Sequence, residues 1–358
     1  MLISIERIKN PFCSAHIFQN TKDILPEQYS DLDRAGIIVL RMLILNGGCF
    51  MKRIKTIAFL CLFLTAFTNA GCFISYVEPA VEVALQIVFP DQEIREYIRR
   101  ARAGEGDLDT LYREIVLEPV QRELSARNSS IKIENYQQPI ENLDELEQAI
   151  ELLSAGNVAG IVTDALRKSN NYIEGIDTVV YIFPCNPEDS FTKEEMKGVR
   201  GVSGLNCGTT ILSVNPLAPD WQKTLSYVAS HEYHHVTWGI RHGHKFAGNV
   251  LEVLILEGRA DSFANLVYPG LSLPWTSSLS KEKEKEIWRE IVNDNLDNTD
   301  LVFAKNLTQD EFWSGYAVGY HIVQAFINNN PQVSVEEWTG MTAQELFQKS
   351  GYEDWLAN

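Results

Sequence analysis

His231 and His235 stand four residues apart with Glu232 beside the first, in the run His231-Glu232-Tyr233-His234-His235. No other stretch constrains the fold as tightly. Two imidazoles at this spacing reach one common point only on a helix: at about 100° per residue they lie roughly 40° apart on one face, one turn from each other, and Glu232 flanks that face. The segment from Asp220 through Arg241 reads as that helix. Asp220 is the expected N-cap, and Trp221, Leu225, Val228, Trp238 and Ile240 supply apolar positions near the helical period. Two imidazoles on one ion with a carboxylate beside it, rather than on it, is the arrangement hydrolytic zinc chemistry uses.

Composition alone produces an H-E-x-x-H match in roughly one in a hundred chains of this length, so a second signal is required. A catalytic zinc takes three protein ligands and leaves a fourth position to water. The metzincin continuation needs Gly at 238 and His at 241, where the chain has Trp238 and Arg241; Gly239 and His242 are one residue out of register. The other pattern places a Glu on a following helix, with an Asp one turn later that orients the first His. Leu254-Ile255-Leu256-Glu257-Gly258-Arg259-Ala260-Asp261 supplies both. Glu257 follows an apolar run, where a carboxylate without a partner is costly and a cation answers that cost. The bland alternative leaves Glu257 exposed on an amphipathic helix and Asp261 an ordinary surface acid. His234 is expected to pack or hydrogen-bond locally, and His242 and His244 read as loop residues.

The strings HEYHH, LEGRADSF and GYAVGYHIV resemble the domain-of-unknown-function 2268 family, whose members are predicted zinc-dependent proteases of gluzincin type. The resemblance runs from about Val81 to the C-terminus and is strongest from Thr224 to Phe263. It implies His231, His235 and Glu257 as ligands to one zinc ion, Glu232 as general base and Asp261 as the carboxylate behind a ligand; it supplies no substrate. In such a site zinc lowers the pKa of a bound water to near neutrality, and Glu232 takes its proton and returns it to the leaving amine. A later Tyr or His often completes oxyanion stabilisation. Tyr316, Tyr320 and His321 are the candidates, on a helix expected from Phe312 to about Asn328. The resemblance sets that helix against the site and ranks Tyr316 first and His321 second. Core packing of Tyr316 and Tyr320 with Val323 and Ile327 is the competing reading.

The expected fold class is α+β, gluzincin-like: a mixed lobe of helices and a small sheet (about 72–216), a mainly helical lobe (217–358), and an active-site cleft between them. In the first lobe helices are expected at Val81–Val88, Gln92–Ala103, Leu108–Arg127, Leu143–Ser154 and Ala159–Lys168, with strands near Ile131–Asn135, Thr178–Phe183 and Thr209–Val214. One of these strands is expected to present its edge to an extended peptide. Lys281–Glu290 reads as a solvated, charged helix.

The amino terminus bears on location. Met51-Lys52-Arg53-Ile54-Lys55 is a basic start, and Ile57 through Phe67 an apolar core too short to span a bilayer comfortably, so 51–71 reads as an export signal. Thr68-Asn69-Ala70 suits signal peptidase, whereas Ala70-Gly71-Cys72 resembles the end of a lipobox, making Cys72 the expected lipidation site and membrane anchor; Asn69 departs from the usual aliphatic residue. An export signal belongs at the start of a chain, so residues 1–50 read as an over-extended gene start. Without residues 1–71, which hold eight of the 31 Lys/Arg and five of the 48 Asp/Glu, 23 basic side chains face 43 acidic ones, a net charge of about −20. Nucleic acid is an unsuitable partner for such a surface. Cys185 and Cys207 flank the two expected strands, and a disulfide between them competes with two free thiols.

These readings converge on an exported zinc metallopeptidase acting on peptides or proteins, held on the outer face of a bacterial membrane as a lipoprotein or else secreted. A non-catalytic zinc-binding or interaction lipoprotein is the rival, and hydrolysis of a non-peptide amide a third reading.

Overall fold

Four short apolar runs pair into one sheet: β1 (Leu85–Val88), β2 (Thr178–Pro184), β3 (Val199–Gly204) and β4 (Thr209–Val214), in the order β1-β2-β4-β3. The computed structural model describes residues 84–187, 189–243, 246, 248–294 and 311–357. Residues 1–50, the stretch 51–71 expected to be an export signal, Cys72 and His244 lie outside the described residues. β1 runs parallel to β2 and β2 parallel to β4, while β3 returns antiparallel along β4, with Val199 opposite Val214 and Gly204 opposite Thr209. β2 and β4 are interior strands buried along their whole length, which suits their nearly continuous β-branched and aromatic sequences. β3 is an edge strand of this sheet.

Helices cover both faces. Along β2, Val179, Tyr181 and Phe183 join one hydrophobic cluster and Val180 and Ile182 the other, following the strand period of two. The first cluster is built with α1 (Asp91–Arg102), α2 (Leu108–Tyr112), α3 (Glu118–Ala126) and α4 (Leu143–Ala155). A wide π turn at Arg113–Leu117 joins α2 to α3. Pro119 follows it, and a ring without an N–H cannot continue regular i→i−4 bonding. The second cluster holds α5 (Val158–Asn170), α6 (Trp221–His242), α7 (Val250–Val267) and α10 (Ser314–Asn329). It continues across residue 216, so the two halves share one core. Among the described residues the chain after Asp220 is helical throughout, with α8 (Pro274–Ser277), α9 (Lys281–Val292), α11 (Val335–Gly340), α12 (Ala343–Ser350) and α13 (Tyr352–Ala357) completing it.

Several expectations are corrected. Residues 85–88 form β1, not the end of a helix: Leu-Gln-Ile-Val is too short for periodicity to decide, and pairing with β2 does. Ile131–Asn135 is not a strand; a 3₁₀ turn spans Ile133–Asn135, and the alternating Ile131 and Ile133 are buried beneath α3 while the Ile133 N–H donates to Gln121 Oε1 at 2.9 Å. β3 was not anticipated. Asp220 precedes α6 in the left-handed region (φ 56°) and its side chain caps nothing, pairing with Lys223 Nζ at 2.8 Å.

Two features position the site. α6 is buried nearly all round, and its sides are fixed by polar contacts to α5 and the turn after it: Ser169 Oγ donates to Ser230 Oγ at 2.9 Å, and the Tyr233 hydroxyl lies 2.9 Å from both Asn170 Oδ1 and Ile173 O. α7 and α10 cross with their backbones in contact at Gly258 and Gly319. A Cβ on Gly258 would fall on the Gly319 carbonyl, and one on Gly319 on the Leu254 carbonyl.

Candidate metal centre

Midway along α6, His231 and His235 turn the same way and meet Glu257 from the middle of α7. His231 Nε2 lies 2.9 Å from His235 Nε2 and 3.5 Å from Glu257 Oε2, and His235 Nε2 lies 3.3 Å from the same oxygen. Ligand atoms held tetrahedrally at zinc distances are separated by about 3.3 Å, so these spacings fit one small cation. All three residues are buried or nearly so. Donor atoms this close in a dry cavity repel unless a proton or a metal ion sits among them.

The identity of the proton donor on His231 follows from Asp261. Fully buried, Asp261 places Oδ1 3.1 Å from His231 Nδ1, and the same oxygen accepts from the Tyr227 hydroxyl at 3.1 Å and from Trp275 Nε1 at 3.0 Å. Nδ1 therefore carries a hydrogen toward Asp261, and Nε2 is the ring nitrogen that faces His235 and Glu257. Burial alone would keep His231 neutral, but the carboxylates of Asp261, Glu257 and Glu232 outweigh it and hold its pKa well above the imidazole range. Burial likewise opposes ionisation of Glu257, and the imidazoles of His235 and His231 override it, holding its pKa far below the usual carboxylate range. In the metal-free protein a proton on His231 thus occupies the role a metal ion would take.

Glu232 sits beside this cluster, not in it. It is buried, its Oε2 has no hydrogen-bond partner among the described residues, and its carboxylate packs on Gly201 of β3, where an added Cβ would lie 2.7 Å from Glu232 Cγ. Ser203 Oγ of the same strand donates to the Glu232 carbonyl at 3.3 Å. A small cavity of about 40 Å³ opens onto His231, Glu232 and Glu257. Its other walls are largely apolar: Met196, Val199, Val228, Trp275, Trp313 and Tyr316 among them.

The chain matches, over residues 158–348, the family described as predicted Zn-dependent protease, domain of unknown function 2268. It belongs to this family. The match spans more than half the chain and contains every residue of the cluster. A relative, the uncharacterized protein YjfC of Bacillus subtilis (strain 168), is 25% identical over 225 residues, covering 57% of this chain and 74% of that protein. No solved structure matches the chain.

Of the residues singled out from the sequence of this family member, His231, His235, Glu257, Glu232 and Asp261 come together, and Tyr316 lines the same cavity. His321 does not reach it. Its Nδ1 pairs with Glu284 Oε2 at 2.8 Å, in a separate cavity beside Trp355. Glu284 is itself buried and accepts from Tyr352 Oη at 2.7 Å, so α9 is not a wholly solvated face. His234 is a neutral core residue, packed between Phe263 and Trp338, with burial driving its pKa well down. Cys185 and Cys207 are free, correcting the disulfide: β2 and β4 are parallel, which puts Cys185 past the end of one and Cys207 before the start of the other. Tyr227, Trp275 and Gly201 were missed. Tyr227 was within reach, one turn before His231 on the same helix face; nothing in the sequence around Trp275 or Gly201 ties either to the site.

Proposed function

We propose that this protein is an exported zinc metallopeptidase that cleaves peptide bonds with Glu232 as general base. The observation that carries the reading is the convergence of His231 Nε2, His235 Nε2 and Glu257 Oε2 with Glu232 beside them and uncommitted to the cluster. His231, His235 and Glu257 hold the zinc, in the manner of a gluzincin. When bound, zinc supplies Lewis-acid polarisation of a carbonyl and acidifies water. Glu232 takes a proton from the attacking water and hands it to the leaving amine. Asp261 keeps His231 in the tautomer that offers Nε2, with Tyr227 and Trp275 fixing the carboxylate in turn. Tyr316, on the cavity wall, is the residue proposed to donate to the developing oxyanion. A purely structural or storage site has no use for Glu232.

Substrate binding is proposed along β3. It is the sheet edge beside the cluster, and an extended peptide adding to it would be recognised through its backbone. The aromatic and aliphatic walls favour an apolar side chain next to the scissile bond. Lipidation of Cys72 is proposed to hold the enzyme at the outer face of the membrane.

A peptide library incubated with zinc-loaded wild type and zinc-loaded Glu232→Gln tests the reading. Cleavage is expected from wild type, falling by about 10²–10⁴ in the variant with zinc retained. Equal cleavage by both would remove Glu232 from the mechanism, and backbone N-methylation near the scissile bond without effect on cleavage would remove β3 from substrate binding.

A further inference from the structure

A second side of α10 floors a cavity that the proposed mechanism does not use. His321, Gln324 and Asn328 recur at i, i+3 and i+7 and so share one side of the helix, His321 lying roughly 140° round from Tyr316. Gly351, Asp354 and Trp355 form the opposite wall, and the space between is about 420 Å³, the size of a small-molecule cleft. Beneath it Glu284 is about 1% exposed, with Oε1 accepting from the Tyr352 hydroxyl at 2.7 Å and Oε2 from His321 Nδ1 at 2.8 Å. An imidazole held this way presents Nε2 to the cavity, as Asp261 directs Nε2 of His231 toward the metal centre. Packing alone would put an apolar residue at 284. A carboxylate buried there is costly unless both oxygens are satisfied, and what the arrangement gains is an oriented imidazole. The side chains of Gln324 and Asn328 form no hydrogen bond among the described residues, and Trp355 is about 40% exposed.

We propose that this cavity binds a saccharide, its ring lying against the Trp355 indole and its hydroxyls bonding His321 Nε2, Gln324 and Asn328. Two carboxamides and an imidazole nitrogen offer donors and acceptors side by side, and a hydroxyl answers either role. A wholly apolar ligand would strand these groups. An anion would meet Asp354 and find no lysine or arginine in the lining. An organic cation would be repelled by Lys281, whose Nζ lies 4.8 Å over the Trp355 ring. A neutral ligand that carries hydroxyls round a C–H face fits what is left, and an indole takes up such a face. Trp355 is held for it by the rings of Tyr352, stacked at 5.7 Å, and His321 at 5.5 Å. The site is separate from the metal ligands and from Glu232.

Saturation-transfer difference NMR on the full chain tests this, with glucose, galactose, mannose, N-acetylglucosamine, maltose and chitobiose as probes and sorbitol as the acyclic control. Saturation of the ring protons of at least one sugar is expected, with sorbitol silent and the signal equal in zinc-loaded and chelator-treated protein. Trp355→Ala should abolish the transfer and Asn328→Ala should weaken binding several-fold. Both side chains are exposed, and if Trp355→Ala does not fold, Asn328→Ala alone decides. Absence of transfer to every sugar overturns the proposal. So does transfer to sorbitol as strong as to the sugars, transfer that requires zinc, or transfer unchanged in the variants.

Discussion

At the scale of single residues, the site is a set of groups whose ionisation states depend on one another. The pKa of His231 is raised, so in metal-free protein its charge stabilises the fold fully below the ordinary imidazole pKa of about 6.5, and that contribution is lost as pH rises through the higher folded value. The pKa of Glu257 is lowered, so its contribution is present above about 4.5 and fades only as pH falls toward the folded value. Zinc must displace the His231 proton. Zinc uptake at neutral pH is therefore expected to release a proton, seen calorimetrically as a binding enthalpy that varies with the ionisation enthalpy of the buffer, and affinity should fall as the solution is acidified. Buffer-independent heats would show that His231 is neutral before metal arrives. Asp261→Asn removes the charge behind His231 and should weaken zinc binding by about 10- to 100-fold, read by competition with a chelating dye. The two cysteines should also differ: burial pushes the Cys185 thiol up to about 11, so native alkylation at pH 8 should spare it while Cys207 reacts, and both should label after unfolding without reductant.

Elements decide whether those residues meet, and at this scale the sequence is unevenly informative. The ligands were legible because helical spacing is local: His231, His235, Glu257 and Asp261 announce themselves at i, i+4. β2 and β4 were legible as dense β-branched runs. β3 was not, because Val-Arg-Gly-Val-Ser-Gly has two glycines and little strand propensity; it becomes a strand through pairing with β4 and packing on α6. His321 shared its helix with Tyr316 but faces Glu284, a buried partner contributed by a helix whose other residues are mostly charged. The glycines of the crossing carry distinct predictions. Gly258→Ala or Gly319→Ala forces α7 and α10 apart and should cost about 1–3 kcal/mol in a denaturant titration, with loss of zinc because Glu257 moves. Gly201→Ala, by contrast, displaces only the Glu232 carboxylate, so turnover should fall with zinc content unchanged. Unaltered stability in both crossing variants would mean the helices have slack that the backbone contact does not suggest.

For the whole molecule, a helix buried through its middle turns carries the centre between a sheet edge and two further helices, so the ligand geometry is set by the core and not by loops. Among the described residues a small, largely apolar cavity opens onto it. The proposed export and anchoring belong to this scale too. Cells expressing the full chain and fed radiolabelled palmitate should yield a labelled membrane-bound product, with label lost in Cys72→Ser; a soluble, unlabelled wild-type product would favour secretion.

The central claim is that His231, His235 and Glu257 hold one zinc ion. Elemental mass spectrometry of folded protein purified without chelator tests it most directly, with Glu257→Ala as the companion. About one zinc per chain in wild type and a large loss in the variant is the predicted result. Folded wild-type protein with essentially no zinc, and none acquired on dialysis against it, would contradict the account.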